Sequence, residues 1–448
     1  MSSFGATSKL NKTAVKLLAV GIIAEYNPFH AGHAHQIAQI KTLSDAPIVA
    51  VMSGQRDVAS NLASRSTSQR CEDTEIVAVM SGSFTQRGEP AILDKWTRAR
   101  LAVANGVDLV LELPFVCAVR SAQDFARGGI RLLDSLGVVD TLAFGAEVTD
   151  LTALKRAAAT FDEKFFSDEL HALMSTGTSY AHAVTKILAR VTALDEKLLR
   201  QPNTILAIEY LRALPEKISP LLIARRGAAY DDATLHEEFS SATAIRAAIR
   251  EPSPPWQKIS AQVDAQTLTA LRDEKISGFV DEEFLFRPLL TKLLTATAAD
   301  LRKIYGMTEG LEFRLLNAAS QAKNFSELVT LVVGRRFTAS RVRRLILYTL
   351  LDVTGELIAE VDASICAKVL AFNDRGRRLL KKISVPVVTK VGKHLTRRDL
   401  TERTRPLTPS QKILLTDVLA SDLRAMLFEP PKPRQQDFTT SPIYGRHG

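Results

Sequence analysis

The sequence predicts an α/β protein, a doubly wound parallel sheet followed by a mainly helical C-terminal domain. Three observations predict it. Short apolar runs alternate with helical patterns through the first 250 residues, and such continuous runs are the mark of parallel strands buried on both faces. The stretch "REPSPPWQK" (250–258) then places three prolines within four residues, which stops any regular element. Beyond it the patterns are helical nearly throughout, and basic residues crowd together.

The elements follow in order. "LLAVGIIA" (17–24) reads as the first strand and "GHAHQIAQIKTL" (32–43) as the first helix. "EIVAVMSG" (75–82) is a second strand, followed by a helix in "DKWTRARLAVANG" (94–106). "VDLVLELPF" (107–115) is a third strand, and "SAQDFARGGIRLLDSLG" (121–137) a helix closed by Gly137. "TLAFGAE" (141–147) is a fourth strand, and "KISPLLIARR" (217–226) adds one more. This gives a sheet domain over 17–250 and a helical, basic domain over 258–448, with residues 1–16 as a loose extension. The final "EPPKPRQQDFTTSPIYGRHG" reads as an extended tail.

A direct repeat interrupts the pattern: "IVAVMSG" stands at 48–54 and again at 76–82. One copy is too little for a repeat architecture. The polar, serine-rich segment between the copies reads as a poorly ordered insertion near 48–75. A real edge strand at 47–53 is the alternative.

Composition bounds the function. The chain has 448 residues, 46% hydrophobic and 24% charged, with a formal net charge of +9. This basic balance suits a polyanionic partner, though solubility alone also explains it. Cys71, Cys117 and Cys366 are far apart, which argues against a disulfide framework or a cysteine zinc site and fits the cytoplasm. No apolar run reaches the ~18–20 residues of a membrane span, so no membrane partner is expected. The N-terminus superficially resembles a signal peptide, but its apolar part runs into Glu25-Tyr26-Asn27-Pro28 with no small-residue cleavage site.

The segment "AEYNPFHAGHAHQI" holds three of the eight histidines, His30, His33 and His35. Zinc would need further converging ligands, and no cysteine is near. Phosphate suits the position better. A junction between the first strand and first helix lies at the carboxyl edge of the sheet, where ligands bind in this class. A helix N-terminus there is expected to offer free backbone N–H groups to an anion, with Gly32 allowing close approach. Histidine donors can stabilise charge on a phosphate. The His30-x-Gly32-His33 spacing is the H-x-G-H signature of the nucleotidyltransferase superfamily. Downstream, "FSSATAIRAAI" (239–249) places Ser240, Ser241 and Thr243 before a helix carrying Arg246. Alone it is a helix cap; opposite the first motif, its hydroxyls, amides and arginine converge on phosphates.

Taken together, "GIIAEYNPFHAGHAHQI", "VAVMSGSFTQRGEPAILDKWTRA", "NGVDLVLELPF", "FGAE", "PNTILAIEYL" and "SSATAIR" resemble the bacterial tRNA(Met) cytidine acetate ligase family. The resemblance runs from about Val20 to Arg250 and continues more weakly through "RFTASRVRRLILYTLL". It implies an enzyme that activates acetate with ATP, releasing pyrophosphate, and passes the acetyl group to N4 of the wobble cytidine of elongator tRNA(Met). By motif it implies His30 and His33 as the catalytic pair. The implied ATP site comprises Ile23, Ala24, Glu25, Tyr26, Asn27, Pro28, Phe29, His30, Ala31, Gly32, His33, Ala34, His35 and Gln36. It continues with Gly145, Asn203 (reading the base or ribose), Arg225, Ser241, Thr243 and Arg246.

Mg2+ is expected with ATP, with Glu89 and Asp94 the weak candidates for ligands. The basic helices offer Arg335, Arg336, Arg341, Arg343, Arg344, Arg377, Arg378, Lys381 and Lys382 to tRNA phosphates. The sequence departs from the family pattern at Ala31, Thr204 and Arg226, and deleting 48–75 restores the family's spacing. Two alternatives share these residues: a small-metabolite adenylyltransferase, and a nucleotide-gated RNA-binding protein without catalysis.

Overall fold

The structure is a computed structural model and describes residues 19–45, 74–225, 234–236, 239–334, 336–402 and 405–445. The expectations for residues 1–18, the first copy of the repeat and the rest of 46–73, Cys71, Arg226 and Arg335 lie outside the described residues.

Among the described residues eight strands form one sheet: β1 (Ala19–Ala24), β2 (Glu75–Ser81), β3 (Leu109–Leu113), β4 (Val139–Ala146), β5 (Ser219–Ala224), β6 (Ala367–Phe372), β7 (Val387–Val388) and β8 (Ile443–Tyr444). Their order is β5-β4-β1-β2-β3-β6-β7, with β8 also on β6. The strands β3-β2-β1-β4-β5 are mutually parallel. The order therefore reverses between β1 and β4, and the carboxyl ends at such a switch point leave a crevice for ligand.

Side chains alternate between two cores. Ile76, Ala78 and Met80 face one side with Ile22. Val77 and Val79 face the other with Leu109 and Leu111. Both faces are covered, which is why these strands read as unbroken apolar runs. On one side lie α1 (Ala31–Asp45) and α2 (Lys95–Ala104); on the other lies α3 (Ala122–Ser135). Ser121 caps α3 by accepting the Asp124 amide at 3.2 Å, and the helix buries Phe125, Ile130, Leu132 and Leu133.

The expected fold class is present, with one addition. The chain after the proline break is helical as far as Val361, then returns to the sheet. β6 pairs antiparallel with β3, Leu109 opposite Phe372 and Glu112 opposite Lys368. β3 is thus an interior strand of a mixed sheet.

The tail is not the extended segment its prolines suggested. A short turn of helix at Gln436–Thr439 carries Asp437, 2% exposed. Its carboxylate contacts Lys95 at 2.8 Å and also Lys368; Glu112 lies 2.8 Å from each of the same two lysines. Two buried cations and two buried anions thereby join α2, β3, β6 and the tail.

Candidate nucleotide site

A cleft of about 560 Å³ opens at the carboxyl ends of β1 and β4. One wall is the β1–α1 loop; the facing wall is α5 (Ala242–Arg250) with the residues before it. The far end is formed by Phe144, Gly145 and the first turn of α4 (Pro202–Ala213).

His30 and His33 lie ring to ring, 3.9 Å between centroids. Nδ1 of His30 accepts the Gly32 amide at 3.0 Å, and Nδ1 of His33 accepts the His30 amide at 3.3 Å. A nitrogen that accepts carries no proton, so each neutral ring holds its hydrogen on Nε2. Burial, with Arg225 and Arg246 adding repulsion, lowers the His30 pKa to about 3. Burial and then His30 push His33 well below the usual value. The pair is therefore two neutral N–H donors rather than two imidazolium ions. Gly32 has a specific reason: a Cβ there would stand 2.8 Å from Cε1 of His30.

One expectation is corrected. The first-turn amides of α1 are not free for an anion. Ala31 donates to the Gln262 carbonyl at 2.8 Å, Gly32 donates to His30, and His33 and Ala34 donate to the His30 carbonyl at 2.9 and 3.1 Å. The loop folds back and uses its own donors. The open helix start is on the other wall. In α5, Ser241 caps the Ala244 amide at 2.9 Å, while the amides of Ala242 and Thr243 have no partner among the described residues. That terminus faces the cleft and supplies the amides and dipole that an anion needs.

Arg246, one turn into α5, joins the two walls. Nη1 donates to the Asn27 carbonyl at 2.8 Å and Nη2 to Thr243 Oγ1 at 3.3 Å. Glu25 lines the cleft floor and accepts the Gln86 amide at 2.6 Å; burial raises its pKa. At the far end a Cβ on Gly145 would meet Arg225 Cγ at 3.0 Å, so the glycine makes room for that arginine.

Of the expected site, Ile23–Asn27, His30, Gly32, His33, His35, Gln36, Gly145, Asn203, Arg225, Ser241 and Arg246 line the cleft. Pro28, Phe29, Ala31, Ala34 and Thr243 do not. Phe29 is a core residue, 1% exposed, and Thr243 acts through Arg246. Gln86, Arg87, Phe239 and Ser340 line the cleft without having been foreseen. They come from loops and from a helix more than 300 residues after β1, and only the "SFTQRGEP" run, already marked by the family resemblance, could have drawn attention to the first two.

Arg98 was also missed. Fully buried, it donates to the carbonyls of Glu25 at 2.6 Å, Leu93 at 3.1 Å and Gly82. It thereby fixes the ends of β1 and β2 against each other. Burial lowers its pKa to about 10.

The residues present do not form a metal cage. Among the described residues no three His, Cys, Asp or Glu side chains converge. Asp94 caps α2 by accepting Thr97 N at 2.9 Å, and Glu89 sits 3.6 Å from Arg246.

The basic residues divide into two groups. In α6 (Ala339–Leu351), Ser340 reaches the cleft and Arg344 donates to the Gln86 carbonyl at 3.2 Å. Arg343 pairs with Glu282 at 2.8 Å, Arg341 stacks on Phe337, and Arg336 is exposed just before the helix. The second group, Arg377, Arg378, Lys381 and Lys382, lies on and after α7 (Asp374–Leu380). There Arg378 approaches Glu75, the first residue of β2, at 3.9 Å, and Gly376 packs on Asp108 before β3. That is the amino edge of the sheet, about 20 Å from the cleft by the rise of a seven-residue strand.

A mainly parallel sheet with its switch point at β1, an H-x-G-H loop and an open helix start across the cleft define a nucleotidyl transferase, and the HIGH Nucleotidyl Transferase family model matches residues 17–56 and 63–439. Within that class the chain belongs to the tRNA(Met) cytidine acetate ligase family. It is 36% identical to the tRNA(Met) cytidine acetate ligase of Caldanaerobacter subterraneus subsp. tengcongensis, covering 84% of this chain and 89% of that one. It is 33% identical to that of Thermoanaerobacter sp. strain X514, covering 94% and 98%. Among solved structures it resembles Thermotoga maritima TmcAL, apo form I, with TM-score 0.81 and 30% identity over 96% of this chain and all of that one. The same protein bound with alpha-thio ATP gives TM-score 0.78 and 29% identity over the same shares.

Proposed function

We propose that the protein is an ATP-dependent acetate ligase that acetylates N4 of the wobble cytidine of elongator tRNA(Met). The observation that carries this reading is the cleft itself. Two neutral histidine N–H donors face a helix start whose Ala242 and Thr243 amides have no partner among the described residues, and Arg246 bonds to both walls. An acetate oxygen attacks the α-phosphate of ATP, the bond to the β-phosphate breaks, and diphosphate leaves with the negative charge. No protein nucleophile is required; positioning and charge stabilisation suffice. His30 and His33 donate to phosphate oxygens, the Ala242 and Thr243 amides bind a further oxygen, and Arg225 and Arg246 supply the positive charge. In the second step the N4 amine attacks the acetyl carbon, AMP departs, and N4 gives up a proton.

Acceptance of tRNA is assigned to Arg336, Arg341, Arg343 and Arg344, on the side where Ser340 reaches the cleft. The division of labour is a nucleotide half over 17–250 and a basic tRNA-carrying half over 258–448, and the place of work is the cytoplasm. Among the described residues no helix is long and apolar enough to cross a membrane. Incubation with ATP, labelled acetate and purified tRNA species tests the reading. Label is expected in elongator tRNA(Met) alone; label in no tRNA overturns it.

A further inference from the structure

We infer that Glu147 sets the base specificity of the cleft: it turns the side-chain amide of Asn203 so that the carbonyl faces the nucleobase, which selects an amino-purine over an oxo-purine. The inference rests on the reading of the cleft as an ATP site and adds to it the residue that makes the choice.

The geometry is closed around Glu147, just beyond the end of β4. One carboxylate oxygen accepts Nδ2 of Asn203 at 2.6 Å; the other accepts the Thr204 amide at 2.9 Å and the Thr204 hydroxyl at 3.1 Å. The N-cap residue of α4, Gln201, makes no side-chain cap bond, so a carboxylate 57 residues before Thr204 caps the helix instead by accepting that residue's amide. Thr204, one of the departures from the family pattern, supplies a donor of its own to this contact.

A carboxylate can only accept. The amide of Asn203 must therefore present Nδ2 to Glu147, and its Oδ1 points the other way. That oxygen accepts no hydrogen bond among the described residues, and Asn203 lines the cleft. The cleft lining at this end includes Phe144, Pro202, Ile205 and Leu206, apolar surfaces suited to a flat ring, with Arg200 beside them engaged by His182 and Glu196. The groups suited to phosphate are on the β1–α1 loop and α5. A fixed acceptor beside an apolar slot complements the exocyclic N6 amine of adenine. The O6 of guanine or hypoxanthine is itself an acceptor, so the same slot leaves two acceptors facing each other.

Glu147 is thus a positioning residue, and nucleotide preference tests it. The assay is acetate-dependent nucleotide–diphosphate exchange with ATP and with ITP. The wild-type protein is expected to prefer ATP by about 100-fold or more, because an acceptor facing the base is left without a donor by the analogue. In Glu147→Gln the new Oε1 still accepts from Thr204, while Nε2 donates to Asn203 Oδ1. The amide rotates and turns its Nδ2 to the base. The ATP-to-ITP ratio is expected to fall at least about tenfold. Adding Asn203→Asp in that background restores an acceptor facing the base and should restore the preference. Equal loss with both nucleotides, leaving the ratio unchanged, is what a merely structural cap gives, and it overturns the inference. A change in the ATP-to-dATP ratio instead places the amide on the ribose and likewise overturns it.

Should Glu147→Gln not fold, the wild-type protein carries the test. The purine riboside triphosphate lacking the 6-amino group should be used about tenfold less well than ATP, and ITP less well still. Equal use of all three overturns the inference. Wild-type protein inactive with every nucleotide overturns the functional reading as well, an outcome distinct from an active enzyme with unaltered preference.

Discussion

The guanidinium of Arg246 donates to the backbone carbonyl of Asn27 at 2.8 Å, across 219 residues of sequence. One bond therefore sets the spacing between the histidine loop and the open start of α5. Arg246→Ala removes both the proposed phosphate ligand and this spacer. Exchange of ATP with diphosphate should fall about 100- to 1,000-fold, the usual loss on removing a donor to developing charge. Arg246→Lys cannot make the forked contact to Asn27 and Thr243 and should recover only part of the rate. Retention of full exchange in Arg246→Ala would remove Arg246 from the site.

His33→Ala should abolish exchange while leaving tRNA binding intact, because the His33 ring belongs to the cleft and not to the basic helices. Filter binding of tRNA beside the exchange assay reads both at once. Parallel loss of the two activities would mean that the substitution has disturbed the fold.

Acid should destabilise the protein through the same histidines. The His30 pKa is about 3 in the folded chain against an ordinary value of 6.5, so between these values the unfolded chain binds a proton that the folded ring does not. Stability therefore rises with pH through this window, is complete above 6.5, and is lost as pH falls below it. The slope is up to about 1.4 kcal/mol per pH unit per buried ring. Urea midpoints at pH 7.5 and 4.5 measure the effect. Replacing both His30 and His33 with Asn should flatten the acid limb; an unchanged limb would assign it to other groups.

Asp437→Asn should cost about 3–5 kcal/mol in urea unfolding, because it strips a counter-charge from two buried ammonium groups and leaves them Glu112 and the more distant buried Asp417. A loss under 1 kcal/mol would show that the cluster is hydrated in solution.

Reversal of Arg336 and Arg341 to Glu should weaken tRNA binding and flatten its salt dependence by about 0.7–0.9 in log–log slope for each phosphate no longer neutralised. Exchange should persist. The same reversal at Arg377 and Arg378, on the amino edge of the sheet, should leave the slope unchanged. The opposite pattern would move the tRNA surface to that edge. Arg343 and Arg344 are poorer probes, since their bonds to Glu282 and Gln86 mix binding with stability; Arg341 also bonds Thr308 and Glu309, so the single reversal of Arg336, which is exposed, is the control for the pair.

What the sequence disclosed was local. β1 to β5 were legible because parallel strands covered on both faces are unbroken apolar runs, and His30, Gly32 and His33 because three chemical residues stand within four positions. β6 escaped because "AKVLAF" is short, apolar and set among helices, where periodicity alone cannot separate strand from helix. Glu147 and Asn203 each stand in a run that carries the family resemblance, but their contact, like that of Lys95 with Asp437, forms only in three dimensions and has no counterpart in sequence spacing. The first turn of α1 shows a different limit. The motif located the loop correctly, yet its first-turn amides are taken up by the His30 ring and carbonyl and by the Gln262 carbonyl, and the amides without a partner among the described residues are those at the start of α5.

The antiparallel pairing of β6 with β3 has a consequence for biosynthesis. β3 leaves the ribosome about 250 residues before β6, roughly 13–50 s earlier at 5–20 residues per second. Throughout that interval Leu109–Leu113 is an uncovered edge of an otherwise formed sheet, with Glu112 as its one charge. The nascent nucleotide half must wait for the polypeptide's last quarter before its border is sealed. A fragment ending at the proline break should therefore self-associate through β3, and sedimentation of residues 1–258 beside the full chain would reveal it.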